Sequence, residues 1–202
     1  MGSAEAGTAG GTGTASPRER YRAQVRAEIK ERAWEQIADA GASALSLNAI
    51  AKRMGMSGPA LYRYYGSRDE LITELITDAY RSQADTVRAE AAAGGDLTDL
   101  AHALRRWALA DPQRYFLIYG TPVPGYHAPD DVTAIAREIM GTLLDACAAL
   151  PEPADSGGAL DQHIAGHREW AEGHGASPAR LRRALTLWSR LHGALSLELA
   201  GH

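Results

Sequence analysis

Lys52, Ser57, Tyr62, Arg63, Tyr64 and Arg68 fall within one short stretch, SLNAIAKRMGMSGPALYRYYGSR, that spans 46–68. Hydroxyl groups interleaved with ammonium and guanidinium groups are donors suited to phosphate oxygens, and no acid or base pair for catalysis lies among them. Gly58 and Pro59 open the segment that carries the tyrosines, so its N-terminal end is slim. A slim, positively charged helix end of this kind fits the major groove of double-stranded DNA, with phosphates in reach on either side.

Other residues suggest other chemistry. Trp107, Tyr115, Phe116, Tyr119, Met140 and Trp170 are candidate walls of a pocket for a small, partly apolar molecule, because such pockets combine apolar lining with a few polar tips. His192 is a candidate contact to the same effector, set against its reading as a structural hydrogen-bonding group. His163, His167 and His174 share one face if their helix stays regular through Gly173, but no fourth ligand is visible, so no metal and no cofactor is expected. Gly-x-Ser-x-Gly, a phosphate loop, paired cysteines and His-Glu-x-x-His are all absent from the sequence, which leaves no candidate catalytic residue.

Positioning the basic stretch requires a helix-turn-helix. Ser46 is placed to cap a short helix with Leu47, Ile50, Ala51 and Met54 at helical spacing, and Gly55 allows the turn that ends it. Ser57 is placed to cap a second helix that runs to about Tyr65. Upstream, Ser16 and Pro17 read as the cap and first turn of a helix to about Ala40, with Val25, Ile29, Ala33 and Ile37 facing inward. Arg18, Arg22 and Arg26 on its exposed side read equally as phosphate contacts and as a solvated face. Downstream, Ser67 caps a long helix to about Ala93, and Glu70 closes a capping box. The apolar stripe of that helix is too wide for one neighbour, so it reads as a rigid lever between head and body.

At these residues the chain resembles the DNA-binding domain of the TetR family of bacterial transcriptional regulators. The resemblance rests on Ser57, Ala60, Leu61, Tyr62, Tyr64, Tyr65, Gly66 and Arg68, read in the order 57–68. It implies that Tyr62 and Tyr64 hydrogen-bond phosphates, that Leu61 packs inward and that Arg68 grips the DNA backbone. Gly58 departs from the pattern, because many relatives place a base-reading side chain there. Direct readout then shifts to neighbours such as Lys52, Ser57 or Arg63.

The remaining helices build an all-α body, with no strand-like alternation anywhere. They are expected over 97–110, from Asp111 through Tyr119, over about 129–150, 159–173 and 178–200. Breaker-rich loops at 120–127 and 151–158 divide them. Leu181, Leu185, Trp188, Leu191, Leu195 and Leu199 make the last helix apolar on more than one face. It therefore reads as part of a homodimer interface, in which two copies pair with a second helix from each subunit as a four-helix bundle. Trp188, His192 and Gly193 are similar to the Trp-x-x-x-His-Gly signature of the WHG-type regulatory domain found in some TetR-family proteins.

Charge supports the division into head and body. The net charge is −4, yet 17–68 carries +5 and 69–202 carries −8. A basic head on an acidic body suits a protein that presents one end to DNA. The expected organisation is a disordered tail over 1–16, a helix-turn-helix domain over 17–66 and a helical effector-binding and dimerisation domain over 67–202. With 45% apolar residues but no run of about 18, the chain reads as cytoplasmic with no membrane partner. The lone Cys147 excludes an internal disulfide. These observations imply a ligand-responsive repressor that binds a palindromic operator as a homodimer; the alternative is a metal-binding or enzymatic helical module with a DNA-localising head.

Overall fold

A computed structural model of the chain describes residues 16–120, 123, 125–152 and 157–202. The expected tail, Ser16 apart, lies outside the described residues. Ser16 opens helix α1 (Pro17–Ala40) with a reciprocal cap: its hydroxyl accepts from Glu19 N–H, and the Glu19 carboxylate accepts from Ser16 N–H at 2.7 Å. Val25, Ile29, Ala33 and Ile37 are buried, as their four-residue spacing predicts. A short 3-10 turn (Ala42–Ala44) leads to α2 (Leu47–Arg53), where Ser46 caps Ala49 N–H, and then to α3 (Gly58–Tyr62).

Between α2 and α3 the chain makes a Schellman turn. Gly55 adopts φ 65°, Met56 N–H reaches back to the Ala51 carbonyl at 2.9 Å, and Gly55 N–H reaches that of Lys52 at 3.3 Å. Helix α3 is shorter than its sequence suggests, and the Ser57 side chain makes no capping bond. Two arginines of α1 account for its early end. Arg22 donates to the Arg63 carbonyl at 3.2 Å and Arg26 to the Tyr64 carbonyl at 2.6 Å, which satisfies the orphan acceptors past the last turn.

Helix α4 (Arg68–Ala92) begins at Ser67, whose hydroxyl accepts from Glu70 N–H. The expected capping box is displaced by one residue, because the Glu70 carboxylate accepts from Gly66 N–H at 2.7 Å. Leu71, Ile72, Leu75 and Ile76 of α4 complete the head core, and Ala84 and Val87 enter the body core. Tyr80 packs on both, so α4 is continuous between head and body as its wide stripe predicts. Leu117 and Val132 also join the head core, so apolar packing runs without a break across 66/67. Lys30 adds a polar clamp from α1 to α4, at 2.6 Å from Asp78 and 3.1 Å from Glu74.

The body follows as α5 (Leu97–Ala110), α6 (Pro112–Tyr119), α7 (Asp130–Ala148), α8 (Ala159–Gly166), a 3-10 turn (Glu169–Ala171) and α9 (Pro178–Leu199). At Gly120, which ends α6, an added Cβ would lie 2.4 Å from the Phe116 carbonyl oxygen, so only glycine fits that closure. The single helix expected over 159–173 is broken. It ends at Gly166, and His174 is held away from it by Asp145 of α7, 3.0 Å from its Nε2. Among the described residues there is no strand, and no helix is long and apolar enough to cross a membrane.

Candidate nucleic-acid interface and body cavity

The surface of the head is set by what α3 buries. Leu61 and Tyr65 have no exposure and point into the head core, which turns the other side of α3 to solvent. Tyr62 is 46% exposed there, and Lys52, Ser57, Pro59 and Arg63 are exposed around it. Gly58 is half-buried: a Cβ on it would stand 3.3 Å from Asn48 Oδ1, so the start of α3 lies close against α2. Lys52 and Arg63 carry cationic groups that no carboxylate of the described residues engages. Tyr64 is half-buried under the Arg22 guanidinium, 5.5 Å from its ring centroid.

Arg68 is placed differently from the role the family pattern implies. Its Nε donates to the Leu45 carbonyl at 3.1 Å, and one terminal nitrogen donates to the carbonyls of Ala42 and Ser43 at 2.8 and 3.2 Å. A guanidinium engaged with three carbonyls pins the start of α4 to the turn before α2 and presents little to a phosphate. Arg26 is likewise engaged inward. It stacks 4.2 Å over the Tyr65 ring and pairs with Glu74, whose carboxyl is held below its usual range because hydrogen bonds from Lys30 and Arg26 outweigh burial. Of the α1 arginines read as phosphate contacts or solvated face, Arg18 alone stays clear of these ties.

In the body, a cavity of about 410 Å³ opens between α4, α6, α7, α9 and the turn after α8. Tyr80 comes from α4, Tyr119 from α6 and Trp188 from α9; Thr133, Ala136, Arg137 and Met140 form one face of α7. Glu169 and Trp170 close it from the 3-10 turn. Three of the walls expected from sequence are thus brought together here: Tyr119, Met140 and Trp170. Trp107, Tyr115 and Phe116 are not. They pack with Ala108 and Leu195 in a separate cluster between α5, α6 and α9. The sequence signal for the missed α7 wall was the i, i+3, i+4, i+7 spacing of 133, 136, 137 and 140.

Behind this cavity lies a buried polar chain. Tyr119 donates to Gln83 Oε1 at 2.7 Å, and Gln83, on α4, is 1% exposed. The His192 ring stands 4.2 Å from that of Tyr119 and 4.1 Å from that of Trp188, so His192, read from sequence as an effector contact or a structural hydrogen-bonding group, lies behind the wall and not among the lining residues. Its Nδ1 lies 3.2 Å from the Tyr115 hydroxyl, which is also 2.8 Å from Ser196 Oγ. Its Nε2 is buried without a partner. Burial pushes the His192 pKa down to about 4, so the imidazole is neutral at physiological pH. Burial also raises the Tyr119 phenol and keeps it a donor.

A helix-turn-helix with one outward helix, coupled by a continuous helix to an all-α body that holds a cavity, defines the class of one-chain DNA-binding regulators. The comparisons agree. Residues 29–75 match the family model described as bacterial regulatory proteins, tetR family, and 97–202 match the one described as Tetracyclin repressor-like, C-terminal domain. The chain therefore belongs to the TetR family of bacterial transcriptional regulators.

It is 40% identical over 193 residues to the HTH-type transcriptional regulator Rv1816 of Mycobacterium tuberculosis, covering 89% of this chain and 82% of that one. The same values hold for Mb1846 of Mycobacterium bovis. Among solved structures, the putative regulatory protein SCO4313 is 70% identical with a TM-score of 0.85, over 93% of this chain and 89% of that one. A putative tetR family transcription regulator from Shewanella sp. PV-4 shares the fold at 20% identity and a TM-score of 0.52, over 86% and 95% of the two chains.

Proposed function

We propose that this transcriptional regulator is a cytoplasmic repressor that binds a palindromic operator as a homodimer and is released by a small, partly apolar effector. The observation that carries the reading is the placement of Gln83. The helix that begins beneath the DNA-facing surface carries this buried amide, and its partner Tyr119 is a wall of the 410 Å³ cavity. A molecule that competes for the Tyr119 hydroxyl, or displaces its ring, acts on α4 directly.

On the DNA side, Lys52, Ser57, Tyr62 and Arg63 are the contacts, with Tyr64 at the edge and Gly58 and Pro59 allowing close approach. Arg68 serves as a positioning residue for α4. Dimerisation uses the outer side of α8 and α9, where Leu160 and Leu197 are 57% and 58% exposed and Gly193 and Ala194 keep the α9 surface low. Two recognition helices then meet half-sites about 34–36 Å apart. Effector and operator are linked by differential affinity: about 100-fold preference for the released state corresponds to about 2.7 kcal/mol.

The test is a titration of the purified protein with its own upstream DNA at several salt concentrations. Sequence-selective binding that weakens steeply with salt is expected, and its absence would overturn the reading. A ligand that binds the body and leaves operator affinity unchanged would remove the effector part alone.

A further inference from the structure

The body cavity combines rings and charges in a way that the operator reading does not use. Four of its walls are electron-rich rings: Tyr80, Tyr119, Trp170 and Trp188. Tyr119 stands nearly perpendicular to both Tyr80 and Trp188, with centroids 6.1 and 6.0 Å away and planes inclined by 78° and 76°. Neighbouring rings at right angles form a corner instead of a flat stack. Trp170 adds a fourth ring from the turn after α8, held there by its Nε1–H, which donates to the His167 carbonyl at 3.2 Å.

Fixed charge enters this cavity from two lining residues only. Burial raises the phenol pKa of Tyr80 and of Tyr119, so both stay neutral, and the neutral His192 imidazole behind Tyr119 and Trp188 adds no positive charge. The two charged walls are Arg137 and Glu169, and they are not equivalent. Arg137 faces the Glu172 carboxylate at 3.6 Å, whereas Glu169 has no cationic partner among the described residues. One guanidinium against two carboxylates leaves the site negative, on a body that itself carries −8.

We propose that the cavity selects a lipophilic monocation, an aromatic molecule bearing one ammonium group, which pairs with Glu169 and lies against the rings of Tyr80, Tyr119, Trp170 and Trp188. The inference rests on the cavity being the effector site and deepens that reading by assigning the effector its charge. A cation over an aromatic face is attracted by the ring quadrupole, more strongly as water is excluded. A carboxylate in the same place would meet negative ring faces and Glu169. A volume of about 410 Å³ lies in the range of small-molecule pockets.

The experiment titrates three probes of matched shape into the full chain by calorimetry: 2-naphthylmethyl-trimethylammonium, its neutral isostere with carbon in place of nitrogen, and 2-naphthylacetate. The ammonium should bind about tenfold tighter than the neutral isostere, and the carboxylate weakest. Glu169→Gln should remove most of the preference for the ammonium and leave the neutral probe unchanged. Its side chain is exposed, so melting should not shift. Trp170→Leu keeps an apolar wall without the ring face and should lower the preference about threefold. Equal affinity for ammonium and neutral probe overturns the inference. So does tighter binding of naphthylacetate that Arg137→Gln abolishes, or a preference for the ammonium that survives both Glu169→Gln and Trp170→Leu. Operator affinity is measured alongside: selective ammonium binding that leaves it unchanged upholds the cation site and removes the effector role, whereas release by the neutral probe alone does the reverse.

Discussion

Tyr119→Phe tests the connection between cavity and lever with the loss of one oxygen atom. The ring, its edge contact with Trp188 and the cavity shape are retained, and the donor to Gln83 disappears. Gln83 is 1% exposed, so water does not replace the lost partner. An orphaned buried acceptor costs about 1–3 kcal/mol, and the 2.7 Å geometry places this bond toward the upper part of that range. Adding Gln83→Leu removes the orphan, and replacing both partners by apolar groups is nearly neutral.

The double-mutant cycle should therefore show about 1–2 kcal/mol of coupling, whereas independent sites add within about 0.3–0.5 kcal/mol. Urea unfolding reads it, at one fixed protein concentration since association shifts apparent stability. Circular dichroism and indole fluorescence should trace coincident transitions, which licenses the comparison. Additive losses in the cycle, or a Tyr119→Phe protein as stable as the wild type, would refute the reasoning.

Further outcomes follow from single features. Leu61→Ala empties a site with no exposure and should cost about 2–5 kcal/mol, seen as loss of head helix content on heating. Tyr62→Phe and Lys52→Ala should weaken operator binding by about 1–2 kcal/mol with melting unchanged, because both side chains are exposed; a shift in melting temperature would contradict their placement. Arg68→Ala should lower melting temperature as well as affinity, since it strips the carbonyls of Ala42, Ser43 and Leu45 of their donor. His192 has a folded pKa near 4 against 6.5 when free, so the unfolded chain binds more protons between these values. Its contribution, on the order of 3 kcal/mol at most, is complete above pH 6.5 and is lost as pH falls toward 4. A His192→Phe variant should show a flatter acid limb over that window in pH-dependent unfolding.

Sequence reading located elements better than it located partners. Helix α1 was legible to the residue because its signals are local: a serine cap, a proline in the first turn and a four-residue apolar step. Helix α3 ended early because Arg22 and Arg26, some 40 positions upstream, take the carbonyls past its last turn. Arg68 shows the same limit, since its donors turn to a loop more than 20 residues away. On α6, Tyr115, Phe116 and Tyr119 share helical spacing, and periodicity alone does not say that only Tyr119 faces the cavity. The histidine face failed where α8 ended at Gly166 and His174, beyond the turn that follows, met Asp145 of α7, a tertiary capture invisible in a linear pattern.

The unbroken packing across 66/67 bears on how such regulators are re-engineered. A fragment cut there would leave behind Leu71, Ile72, Leu75 and Ile76, and with them Leu117. Grafting the reader of one operator onto the sensor of another should therefore take its seam within α4, after Ile76, and match the α6 side chain that plugs the joint. Chimeras joined at the glycine before α4 would yield molten heads, however faithful their recognition helices.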